Sequence, residues 1–435
     1  MSPTGTDASP ARWIESRPRR VLALLLLFPL FLDLAWLGTH PPSLESGETS
    51  HWWPIVLNVA QGRGYTGCFQ EYFPFCGPAN QVTAMREPVP VLLFAAVERL
   101  TDGSLSAAVA LEIVLHSGIV IGIFFLARAL AGSTAATLAA LLWSAYVPAL
   151  ELVLQVSGEL AATLGVVWGL LFFVRARRSD RVGDWLAAGC VLGLAALSRS
   201  AILFLSPALA LVEVLRPTGR PRDGWRRAAL FASAFVVMMA PWIVRNEAVL
   251  GRPVFGTTLS GYNLYRHNVL LPSPDYLRVV AGTQGRLAVR QLVARRADLR
   301  GTENEAEMDR VYTGEALRLI GAWPLRYLRL SAHRFLSLWF DWGVLEAYGV
   351  RLRLRDYLLG AEQLVLLALA IGGFRHLGRQ AWPLVASVAA YTAAHMLVSG
   401  QLRYIVPVMP LTIVSGAVVL AGFVRGARLG GWRAG

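Results

Sequence analysis

Charged side chains stand where apolar stretches of this sequence begin or end, and their types suit phosphate binding and proton transfer. The apolar run 228–244 stops at Arg245, inside Pro241-Trp242-Ile243-Val244-Arg245-Asn246, and Arg86, Arg199 and Arg403 stand at comparable boundaries. A guanidinium held at the height of lipid headgroups can grip a phosphate through two parallel hydrogen bonds. Glu48 and Glu159 stand at similar boundaries, where a carboxylate can take the proton of an attacking hydroxyl. Each residue also has a plainer reading. Arg245 suits an interfacial anchor, and an acid in a first helical turn is favoured by the helix dipole.

Weaker chemical signals surround these. Glu45, Glu48 and His51 fall close together around the helix-like run 46–61, which closes on Gly62-Arg63-Gly64-Tyr65. His51 is a second base candidate, and Trp52 follows it. In Met85-Arg86-Glu87-Pro88-Val89-Pro90 the first proline biases Glu87 to an extended backbone, so Arg86 is presented for phosphate, for Glu87 or for headgroups. Glu159 opens an otherwise apolar helix behind Ser157-Gly158, where an ionisable group is costly and marks a working site or a cap. Residues 250–268, with Tyr262 and Asn263, set aromatic faces beside amide and hydroxyl groups as a sugar ring requires. Gln401-Leu402-Arg403-Tyr404 adds a cation in what reads as a tight turn.

The elements that must position these residues follow from composition. Of 435 residues, 55% are hydrophobic and only 16% charged, which makes an all-α polytopic membrane protein the expected class. The net charge of +13 comes from short arginine clusters between apolar runs, the pattern of membrane topology, so nucleic-acid binding is excluded as a reading. Apolar runs at 21–39, 107–127, 134–150, 158–174, 184–198, 200–215, 228–244, 356–374, 382–398 and 404–424 predict about 10 transmembrane helices, in a range of 10–12. With the basic clusters placed in the cytoplasm, both termini lie inside and two large loops face outward. The stretches 88–100 and 326–348 then read as interfacial helices, and 278–310 as a solvated helix pair. The implied organisation is a cytoplasmic basic N-terminus 1–20 and a transmembrane catalytic module 21–244 with a first outer loop 40–106. An outer loop 245–355, C-terminal helices 356–425 and a tail 426–435 follow. The expected location is the plasma (inner) membrane, multi-pass, with the chemistry on the periplasmic or exterior side.

Cys68 and Cys76 flank a short outer segment and are a disulfide candidate there, while Cys190 lies alone in an apolar run. No phosphate-binding glycine loop, dinucleotide fingerprint or HExxH is present. An activated substrate would then arrive on the lipid. No cofactor is indicated by a ligand cluster, and a divalent metal is left open.

Taken in order, these pieces resemble the GT-C superfamily of integral-membrane glycosyltransferases, in the branches of protein O-mannosyltransferases and aminoarabinose transferases. The resemblance rests on Glu48, Trp52 and Gly62-Arg63-Gly64-Tyr65, then Arg86-Glu87-Pro88, then Ser157-Gly158-Glu159. It continues through Gly193-Leu194-Ala195-Ala196-Leu197-Ser198-Arg199, Pro241–Asn246, Gly261-Tyr262-Asn263-Leu264, and Arg403-Tyr404 with Pro407 and Pro410. It spans residues 20 to 425. The family's usual leading Asp is Glu48 here, and its usual Tyr is Trp52 beside His51, which leaves the base open between Glu48 and His51.

The resemblance implies a GT-C-like helical fold and inverting transfer of a sugar from a polyprenyl-phosphate donor to a glycan, lipid or protein acceptor. It implies Glu48 as base and Arg86, Arg245 and Arg403 as phosphate ligands. His51, Trp52, Glu159, Arg199, Asn246, Tyr262, Asn263 and Tyr404 are further substrate-binding candidates, and membrane lipids are partners. A flippase of lipid-linked sugars is the rival reading, which predicts polar residues along a buried path and an internal repeat. No clear repeat is present, and the polar residues gather on one face.

Overall fold

The structure is a computed structural model that describes residues 18–43, 48–77, 81–101 and 104–426. Glu45, the first seventeen residues and the tail beyond 426 lie outside the described residues.

The described chain is helical, with only an isolated antiparallel bridge between Thr66 and Val82. Helix α1 spans Pro18–Thr39, α2 Thr49–Ala60, α3 Pro88–Thr101, α4 Leu105–Ala131, α5 Ser133–Ser144 and α6 Val147–Val153. Helix α7 covers Glu159–Ser179 and α8 Val182–Ala196, and a 3-10 turn Ser200–Phe204 leads into α9, Leu205–Leu215. Then come α10 Pro221–Leu250, α11 Ser260–Arg266, α12 Gly282–Arg295, α13 Glu305–Ala322, α14 Pro324–Phe340 and α15 Val344–Ala347. The chain ends with α16 Leu354–Leu377, a 3-10 turn Gly378–Ala381, α17 Trp382–Val398, a 3-10 helix Leu402–Val408 and α18 Met409–Gly426.

Each of the ten apolar runs falls on a helix or helix pair, three of them on shorter apolar helices at Ala23–Thr39, Val182–Ala196 and Ser200–Leu215. Among the described residues, five helical stretches are long and apolar enough to cross a membrane: α4, α7, α10, the stretch Leu354–Val398 and the stretch Leu402–Val424. The pair α5–α6, bent by 57°, makes a sixth. The expected straight span 134–150 is thus broken. Tyr146 adopts an extended backbone and Pro148 stands in the first turn of α6, where its missing N–H costs no helical hydrogen bond. Gly132 separates α4 from α5 at φ 87°, in the left-handed region that a side chain disfavours.

The exterior explains why this is a membrane protein. Leu24, Leu27, Phe31 and Leu34 form one exposed face of α1, and Val236, Val237 and Val244 are exposed on α10. Such apolar helix faces are stable in lipid, where the helix satisfies its own backbone hydrogen bonds. Inside, α7 packs on α8 and α4, α8 on α10, and α16 on α18. A second apolar core lies outside this bundle, where Phe73, Met85, Tyr262, Tyr265, Met308 and Tyr312 join the first loop to α11 and α13. The helix-like run 46–61 appears as α2, the stretch 88–100 as α3, and 326–348 as α14 and α15.

Cys68 and Cys76 are joined in a disulfide, with Cα atoms 5.6 Å apart. Closing so short a loop removes about 2–3 kcal/mol of unfolded-state entropy. Cys76→Ser is therefore expected to lower the melting temperature of the purified protein, and a reductant is expected to shift the wild type but not the variant. Equal melting of the two under oxidising conditions would contradict that.

Candidate functional site

The site forms where helix ends of the bundle meet the second core. Glu48 is the residue before α2, but its side chain makes no capping hydrogen bond. Instead its carboxylate bridges two arginines. Oε1 lies 2.6 Å from Arg403 Nη2, and Oε2 lies 3.0 Å from Arg86 Nη2. The two guanidinium groups hold the Glu48 carboxyl well below the usual carboxylate range although burial opposes them.

Aromatic faces orient both cations. The Arg86 guanidinium lies 5.2 Å from the Trp52 ring centre, and Arg403 lies 5.0 Å from Tyr404. Arg199 lies 4.7 Å from the same Tyr404 ring centre and donates to Glu159 Oε1 at 2.6 Å. His395 stacks on the same tyrosine at 5.2 Å. The helix opened by Glu159 begins after Gly158, where a Cβ would overlap the Ser198 carbonyl and press on Trp52. This close approach brings α7, α8 and α2 to one point.

These groups line one cavity of about 470 Å³. Glu48, Trp52, Arg86, Glu159, Arg199, Arg403, Tyr404 and Asn263 all face it. Phe255, Thr257 and Asp309 line it as well.

Four candidates lie elsewhere. His51 is not in the cavity lining; Nε2 lies 2.8 Å from Glu71 and 3.0 Å from the Tyr72 hydroxyl. Tyr262 is buried between Tyr72 and Tyr312. Asn246 is buried and donates to the Val254 carbonyl. Arg245 donates to the Thr83 carbonyl at 2.8 Å, to the Tyr65 carbonyl at 3.2 Å and to Asn246 Oδ1 at 2.8 Å. Tyr65 in turn donates to the carbonyls of Arg86 and Glu87. Glu87 does not pair with Arg86; it accepts from the Ser200 backbone N–H and hydroxyl. Arg403 is carried on a 3-10 helix rather than the tight turn expected.

Residues 85–244 match the sequence model of the family described as dolichyl-phosphate-mannose-protein mannosyltransferase. Among solved structures, the Archaeoglobus fulgidus oligosaccharyltransferase tethered to an acceptor peptide is similar, with TM-score 0.59 and 14% identity over 97% of this chain and 50% of that one. The chain shares its fold with this oligosaccharyltransferase. The same archaeal enzyme, AglB, in complex with an inhibitory peptide and a dolichol-phosphate matches with TM-score 0.58 and 15% identity over 96% and 51% of the two chains. ArnT from Cupriavidus metallidurans bound to undecaprenyl phosphate is matched at TM-score 0.44 and 13% identity, over 94% and 78%. The chain spans about half the length of the oligosaccharyltransferase it resembles. Among curated proteins, no sequence matches it.

Sequence reading missed two acids, Glu305 and Asp309, within what reads as a solvated helix pair. Their signal was phase: they share a helical face with Met308, Tyr312 and Ala316, which are buried. Glu305 accepts from the Thr83 hydroxyl at 2.6 Å, the Ala84 N–H at 2.9 Å and the Thr258 hydroxyl at 2.9 Å. Burial raises its pKa, and those donors oppose the rise. Among the described residues no group of three or more His, Cys, Asp or Glu side chains is placed to hold a metal ion.

Asp309 lines the cavity and accepts from the Gly261 N–H at 2.6 Å, while burial pushes its carboxyl up from 3.8 to about 7. The folded state therefore keeps a proton that the unfolded chain releases, and stability contributed by Asp309 falls as pH rises from about 4 to about 7. Melting curves across that window should slope downward with pH more steeply for the wild type than for Asp309→Asn. Parallel slopes would contradict the assignment.

Proposed function

We propose that this protein transfers a sugar from a polyprenyl-phosphate donor to an acceptor hydroxyl on the outer face of the membrane, with inversion. The observation that carries the reading is the Glu48 carboxylate bridged between Arg86 and Arg403 inside the cavity. Phosphate and carboxylate compete for the same guanidinium donors. A lipid phosphate entering between the two arginines takes over their hydrogen bonds and releases Glu48 toward the acceptor.

In the transfer step, the acceptor oxygen forms a bond to the anomeric carbon as the carbon–oxygen bond to the phosphate breaks. The acceptor proton passes to Glu48, and the electron pair leaves with the lipid phosphate. Arg86 and Arg403 stabilise the charge that grows on that leaving group. Arg199 is already neutralised by Glu159 and acts on Arg403 through Tyr404, as a positioning residue. Arg245 is proposed in the same role, because its donors are committed to the backbone that presents Arg86. His51 is bound to Glu71 and Tyr72, which favours Glu48 as the base.

The similarity of residues 85–244 to a mannosyltransferase family and the GT-C fold support this class of reaction. Ten crossings of the plasma membrane with both termini inside fit it as well. Glu159 opens α7, Arg199 follows α8 and His395 ends α17 on the cavity side, while Arg177, Arg178, Arg216 and Arg379 gather at the opposite helix ends.

Purified protein supplied with a polyprenyl-phosphate sugar and an acceptor should release free polyprenyl phosphate. Glu48→Gln should slow that release by roughly 10²–10⁴-fold while still binding the lipid phosphate. Turnover near the wild-type rate in this variant would remove Glu48 as base, and sugar-lipid movement without release would favour a flippase. Arg245→Ala should lower turnover and melting temperature together. A raised donor KM at unchanged turnover would instead make Arg245 a phosphate ligand.

A further inference from the structure

We infer that the protein has a second phosphate-binding site at the other end of the bundle, built for the headgroup of an anionic membrane lipid. A cavity of about 470 Å³ lies there, and charged groups in its lining are all arginines: Arg177, Arg178, Arg216 and Arg379. Helix α7 runs from one cavity to the other, opening at Glu159 and ending near Arg177 and Arg178. The 3-10 turn Ser200–Phe204 with α9, and α17, also join the two, since Leu203, Phe204 and Val398 line the first cavity and Leu215, Trp382 and Pro383 the second.

The charges do not cancel. Arg177 lies 3.2 Å from the buried Glu213, which Arg227 also approaches at 3.4 Å while pairing with Asp180 at 2.7 Å. Two arginines thus balance two acids behind the cavity. Among the described residues, no carboxylate pairs with Arg178, Arg216 or Arg379, leaving three positive charges directed at one space.

The site is also held in shape, unlike a set of free interfacial anchors. Arg178 donates to Gln380 Oε1 at 2.7 Å, Arg177 donates to the Arg216 carbonyl at 2.8 Å, and Arg216 lies 4.9 Å from the Trp382 ring centre. Guanidinium groups fixed by neighbours lose less freedom when a phosphate arrives. Leu211, Leu215 and Trp382 are exposed beside these arginines, so the cavity adjoins an apolar outer surface. A phosphate carrying apolar chains satisfies both parts, whereas a soluble phosphate satisfies only the arginines.

The test is native mass spectrometry of the full chain in detergent, titrated with phosphatidylglycerol or phosphatidylcholine, in an Arg86→Gln/Arg403→Gln background that silences the first cavity. The protein should retain phosphatidylglycerol in preference, and each of Arg178→Gln, Arg216→Gln and Arg379→Gln should cost about fivefold in that preference. Arg379 is exposed and makes no ion pair among the described residues, so Arg379→Gln alone, in the otherwise wild-type chain, keeps the test open if a multiple variant fails to fold. Unchanged preference for phosphatidylglycerol in the triple variant, or in Arg379→Gln alone, would overturn the site. Displacement of the lipid by millimolar pyrophosphate would overturn the lipid assignment in favour of a soluble phosphate; failure of pyrophosphate to displace it upholds the lipid.

Discussion

The carboxylate of Glu48 sits between Arg86 and Arg403, and the rest of the site depends on that bridge. It joins three segments far apart in sequence: the start of α2, the strap before α3 and the 3-10 helix before α18. Two partly buried guanidinium groups so close together need an anion between them, and Glu48 supplies it. Under the proposed function, a phosphate replaces the carboxylate on both guanidinium groups without leaving either one unpaired.

A second layer of interactions holds the bridge in register. Glu305 gathers the Thr83, Ala84 and Thr258 donors, Arg245 fixes the Thr83 and Tyr65 carbonyls, and Tyr65 fixes the carbonyls of Arg86 and Glu87. Glu87 then ties the strap to Ser200, next to Arg199. The loop regions are therefore part of the site: α13 supplies Glu305 and Asp309, and the helix bundle supplies Arg199 and Arg403. Packing of Met85 and Tyr262 in the second core couples the two.

Much of this was legible in the sequence, and the gaps have physical causes. Glu48, Arg86, Glu159, Arg199 and Arg403 were readable as ionisable side chains at the ends of apolar runs. Their pairing was not readable, since partners such as Glu48 and Arg403 are separated by most of the chain. At Arg245 the sequence shows a cation at a boundary but not the Thr83 and Tyr65 carbonyls that it binds. Glu305 and Asp309 were hidden by the arginine-rich and glutamate-rich composition around them, although their phase with Met308 and Tyr312 carried the signal. The helix positions followed from apolar runs, while the break at Tyr146 turned on one extended residue before Pro148.

The most direct measurement is a cryo-EM map of the full chain with bound polyprenyl phosphate. The expected result places the phosphate within hydrogen-bonding distance of both Arg86 and Arg403, with the Glu48 carboxylate turned away from them and open to the cavity. A map in which Glu48 still bridges the two arginines, with the lipid phosphate held elsewhere, would contradict it.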